Sequence, residues 1–176
     1  MKVDILARPA LEDVLNKGIP ANTAVISFCD PKSKRTPIGY APVVFPSDFE
    51  FVFIAAVHDI DIEILGDYGL TYETYFPEVN QLADFVLNAE RQGLDIICQC
   101  EYGQSSSAAC AAAIMEYFYG TGIKIFADYR YYPNQLIFNK VYDALKAAKC
   151  TSTDYTRDVF PQDCESKSAA HDEVVS

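Results

Sequence analysis

Apolar residues change their period several times along the chain, and each change marks an element. "KVDILA" reads as a short first strand, and "RPALEDVLNKG" follows as a helix, with Pro9 early, acids in its first half and Gly18 as its stop. "TAVISFCD" is a β-rich run ended by an Asp-Pro break, and "PKSKRTPIGYAPVVFPSD" is a proline-punctuated loop. "FEFVFIAAVHDID" predicts a buried strand that leaves the core at His58 and enters an acidic loop, "DIDIEILGDYGLTYETY". In "PEVNQLADFVLNAERQG" the positions Val79, Leu82, Phe85, Val86 and Ala89 form one helical stripe, closed by Gly93. "LDIICQC" is apolar on both faces and predicts a central strand. "SSSAACAAAIMEYFYG" predicts a helix whose small residues permit close approach to a sheet. "IKIFADYRYY" leaves a strand and an extended segment open. "PNQLIFNKVYDALKAAK" predicts a last helix, with Pro133 near its start and lysines in its final turn.

Strands alternating with helices predict an α/β fold, a mostly parallel central sheet flanked by helices. One domain is expected over residues 1–149. Residues 150–176 lack sustained periodicity and carry six acids against two bases, which predicts a disordered acidic tail. In sheets of this kind ligands sit at the carboxyl ends of the strands, and Cys100 falls at such an end.

The formal net charge of −11 changes the picture by excluding partners: nucleic acid and anionic membrane surfaces are repelled. Any phosphate must then be held by local dipoles against the global field. The amino terminus has no basic start followed by an apolar block, and no run is long enough to span a membrane, so the cytoplasm is the expected location. The six cysteines are irregularly spaced, which favours free thiols. A redox pair of Cys98 and Cys100 is disfavoured, because side chains two apart on a strand sit about 7 Å from each other. His58 and His171 are far from each other and from any cysteine pair, so no metal site is expected.

The chemistry is concentrated in "CEYGQSSS", residues 100–107, between the central strand and the alanine-rich helix. Gly103 is the position that takes positive φ at low cost. Successive amides in such a turn form a nest for an anion, and the following helix adds its positive end. A cysteine at the mouth of that field ionises more readily and is then a competent nucleophile. Ser105, Ser106 and Ser107 offer hydroxyls for capping, for stabilising a thiolate, or for ligand contact.

"CEYGQSSSAACAAAIMEYF" resembles the signature of the protein tyrosine phosphatase superfamily: His-Cys, five residues, Arg, then Ser or Thr. It is most similar to small bacterial dual-specificity-like phosphatases, and "VISFCDP", "HDID" and a late "PN" extend the resemblance over about residues 3–148. The resemblance implies a cysteine-phosphatase-like fold with Cys100 as nucleophile. It further implies a phosphate loop formed by Glu101, Tyr102, Gly103, Gln104, Ser105 and Ser106, and Ser107 assisting thiolate release. The implied ligand is a phosphorylated protein or small phosphate ester, with inorganic phosphate or sulfate able to occupy the loop and no cofactor required. Gln99 stands at the family's histidine position and Ser106 at its arginine position. Arginine clamps two phosphoryl oxygens with a planar charged fork, which serine does not replace. The expectation is therefore a strongly impaired enzyme, or a pseudophosphatase that binds phospho-ligands or anions. Of the chain's arginines, Arg130 in "ADYRYYPN" is the one weighed as a substitute clamp, with a surface position favoured.

The family also uses an upstream aspartate as general acid. Asp59 and Asp61 leave the strand end in "HDID", and together they are favoured over Asp67, which lies 33 residues before Cys100. His58 reads as a strand-end residue, and Glu116 and Asp143 as exposed helical charges. The tyrosine-rich segments "YGLTYETY" and "YRYY" read as surface packing in preference to pocket walls.

Overall fold

The structure is a computed structural model that describes residues 1–31 and 41–153. Four strands, β1 (Val3–Ala7), β2 (Thr23–Cys29), β3 (Val52–Ala56) and β4 (Asp95–Cys100), form one parallel sheet in the order β1-β4-β2-β3. The helices are α1 (Arg8–Lys17), α2 (Val79–Arg91), α3 (Ser106–Tyr119), α4 (Ile123–Phe126) and α5 (Gln135–Thr153). This is the expected α/β architecture. Ala7 pairs with Cys100, Ser27 with Gln99 and Cys29 with Ala56, so all four strands finish along one edge of the sheet.

The period-2 alternation of β2 sorts its side chains between two unequal cores. Ala24, Ile26 and Phe28 join Ile96, Cys98 and Cys100 of β4 in the main core beneath α2, α3 and α5. Val25 and Ile97 point to the opposite face, where Leu11 of α1 and Val43 cover them. Residues 106–114 of α3 are all buried, and their small side chains let the helix lie against the sheet while α5 closes its other side.

Four expectations need correction. β3 is an edge strand rather than a buried one, with Ile54 half exposed, because the cover supplied by α1 stops short of it. The "IKIFADYRYY" segment is neither strand nor extended at its start: Ile123–Phe126 turn once as α4. Within the acidic loop, Ile62–Tyr68 form a 3-10 helix, anchored by buried Leu65. α5 runs to Thr153, four residues past the boundary expected at 149/150. Residues 154–176, and with them Arg157 and His171, lie outside the described residues, as do residues 32–40 with Arg35. No described helix is long and apolar enough to cross a membrane.

Candidate active site

At the carboxyl edge of the sheet a cavity of about 590 Å³ opens between the end of β2, the loop after β3 and the β4–α3 loop. Its lining includes Cys100, Glu101, Tyr102, Gln104, Ser105 and Ser106 on one side and His58, Asp59 and Ile60 on the other. The β4–α3 loop turns at Gly103, which has φ +68° and lies so close to β1 that an added Cβ would fall 2.6 Å from the Ala7 nitrogen. Only glycine satisfies both the dihedral and the approach. Among the described residues, none of the backbone amides of Tyr102 to Ser106 donates to a protein acceptor. Together with the amino end of α3, they are the donors an anion would meet.

Cys100 is buried, and its Sγ lies 3.0 Å from the Oγ of fully buried Ser107 in the first turn of α3. A hydroxyl at that distance donates to a thiolate or accepts from a thiol. Ser106, also buried, starts α3 with a neutral hydroxymethyl group at the cavity wall. Arg130 is turned away from the cavity: its Nη2 pairs with Asp128 at 2.6 Å, its guanidinium lies over the Tyr131 ring, and it does not line the cavity. Among the described lining residues there is no lysine or arginine.

The three candidate aspartates separate. Asp59 lines the cavity, and its Oδ1 accepts from Ser105 Oγ at 2.8 Å and from Asn134 Nδ2 at 2.8 Å. Asp61 precedes the 3-10 helix without a side-chain capping bond and Asp67 lies within it; both are exposed and neither lines the cavity. His58 is a cavity residue as well as a strand-end one, with its ring 4.8 Å from that of Tyr68 and its carbonyl accepting from the Tyr75 hydroxyl. Tyr68, Tyr102 and Tyr132 wall the cavity, whereas Tyr75 is buried in the main core, where burial pushes its pKa up. Glu116 departs from expectation: it is half-buried and its Oε2 accepts from the Gly122 amide.

Two supporting groups went unremarked in the sequence. Asn134 is buried just ahead of α5; its Oδ1 accepts from the Ile137 amide while its Nδ2 donates to Asp59 and, at 3.0 Å, to the Ile60 carbonyl. An asparagine before a helix is a recognisable N-cap signal, but the second half of its amide has no sequence signature. Ser27 donates to buried Gln99 Oε1 at 2.6 Å, so the amide in the histidine position is held from β2. Cys29, Cys98, Cys100 and Cys110 are free thiols. The hydrogen bond between Cys98 and Cys110, reinforced by burial, pushes the Cys98 thiol well above its ordinary pKa and makes it a poor nucleophile. No metal-binding group of three His, Cys, Asp or Glu exists among the described residues.

No protein-family model and no curated protein matches the sequence. Solved structures similar to it include human DUSP28, 17% identical with a TM-score of 0.46, covering 85% of this chain and 94% of that one. PTPMT1 is 12% identical with a TM-score of 0.47, covering 87% of this chain and 95% of that one. PTPMT1 in complex with PI(5)P is 11% identical with a TM-score of 0.47, covering 86% and 94%. This chain is an α/β protein with an all-parallel sheet among its described strands.

Proposed function

We propose that the cavity is a cysteine-phosphatase-type site that holds phosphate monoesters and turns them over very slowly in this form. The observation that carries the reading is the assembly of Cys100, Ser107 and Asp59 around a loop whose amides have no protein acceptor among the described residues. In the reaction, Cys100 Sγ attacks phosphorus, forming a P–S bond as the P–O bond to the leaving group breaks. Asp59 gives that oxygen its proton, then accepts one from the water that attacks the phosphocysteine and releases phosphate. Ser107 Oγ hydrogen-bonds the departing thiolate. Asp59 is favoured over Asp61 and Asp67 because it alone of the three faces the cavity. Two donors occupy its Oδ1, which leaves Oδ2 to carry the proton.

Ser106 decides the rate. Arginines in comparable phosphoryl-transfer sites contribute about 10³–10⁵ in rate. Ser106→Arg is therefore expected to raise hydrolysis of a generic aryl phosphate by orders of magnitude, with Cys100→Ser abolishing the gain and Asp59→Asn lowering it. A specific observation favours the binding-module reading as an alternative: the residue at the clamp position is buried and neutral, and Arg130 is paired with Asp128. Phosphate binding that persists while Ser106→Arg stays inactive would establish that reading in place of the enzyme.

A further inference from the structure

Glu101 lines the cavity and puts a carboxylate on the very loop whose amides gather negative charge. Left uncompensated, it would oppose any phosphate entering the cradle. The compensation comes from outside the loop. β1 runs beside β4 with Ala7 level with Cys100, and the loop presses against β1 at Gly103. One residue on, at the start of α1, the Arg8 amide donates to the Glu101 carbonyl at 3.2 Å, and the Arg8 Nε lies 3.5 Å from Glu101 Oε2. The same guanidinium reaches Glu12 at 3.7 Å and the carbonyl of Ala41, so it is held from several directions. Its side chain is four-fifths buried, while that of Glu101 is two-fifths exposed.

We infer that Arg8 is a positioning residue for the anion loop, raising the loop's affinity for a phosphate dianion by offsetting part of the charge of Glu101 from the β1–α1 junction. The inference rests on the cradle reading above and deepens it: the positive charge that tunes the loop sits behind it, on a different element from the family's clamp position. Arg8 is not among the residues that line the cavity. Its side chain removes a repulsion, and its amide turns the first loop carbonyl away toward α1.

Titration of the full chain with inorganic phosphate tests this, using wild type, Arg8→Ala, Arg8→Lys, Glu101→Gln and the double variant Arg8→Ala/Glu101→Gln. Arg8→Ala is expected to weaken phosphate binding several-fold at low salt, because it leaves the Glu101 carboxylate to repel the dianion. The double variant restores wild-type affinity, Arg8→Lys retains most of it, and added salt shrinks the Arg8→Ala defect. A merely structural role for Arg8 predicts that the double variant binds as poorly as Arg8→Ala, which overturns the inference, as does an Arg8→Ala protein that binds as well as wild type. If wild type takes up no phosphate, the cradle reading itself fails and the inference falls with it.

Discussion

Asn134 uses both ends of its amide. The carbonyl caps α5 at the Ile137 amide, and the amino group fixes Asp59 and the Ile60 carbonyl. Asn134→Ala removes a helix cap worth about 1 kcal/mol and leaves the buried Ile60 carbonyl without that donor. Chemical denaturation is expected to show a loss of about 1–3 kcal/mol. In an Ser106→Arg background the same change lowers turnover further than the stability loss explains, because Asp59 keeps only Ser105 to aim it. At this scale the local unit was legible: a cysteine, a glycine and serines between an apolar run and an alanine-rich stretch announce a strand, a turn and a helix. Asp59 and Asp61 were favoured together over Asp67 but not separated from each other, because the contact that singles out Asp59 comes from Asn134, 75 residues away.

The strands act as rulers for the site. Ser27 and Gln99 face each other across the β2–β4 register, and their 2.6 Å bond is sealed from water, with each residue 1% exposed. Ser27→Ala leaves the Gln99 oxygen buried without this donor, an expected loss of about 1–3 kcal/mol in denaturation. Replacing both groups, as Ser27→Ala/Gln99→Leu, is expected to recover most of that loss, which separates the polar penalty from a packing defect. Element identity followed well from periodicity for α2 and β4, whose patterns are long or apolar on both faces. The edge position of β3 is not legible in its sequence, because an apolar run does not reveal whether a neighbouring element covers it. α4 is not legible either, because a single turn with no stripe leaves no periodic signal.

Across the molecule, stability is linked to pH through groups that the fold keeps neutral. Burial raises the Tyr75 pKa above the ordinary tyrosine value of 10.0. Below that value the phenol is neutral in both states and its contribution is fully present. As pH rises past it, the unfolded chain ionises first, and the contribution is lost on the way to the folded pKa. Denaturation midpoints are therefore expected to fall above about pH 10, and Tyr75→Phe to make that fall shallower, whatever its cost at neutral pH. The sequence alone determined the α/β class, the β4–loop–α3 unit and the excess of negative charge, because periodicity, glycine placement and composition are local or additive properties of a chain. Tertiary structure alone decided that Asp59 meets the cavity and that Arg8 sits behind Glu101. Those outcomes depend on which distant backbone segments pack side by side, and residue order does not encode that proximity in any local pattern.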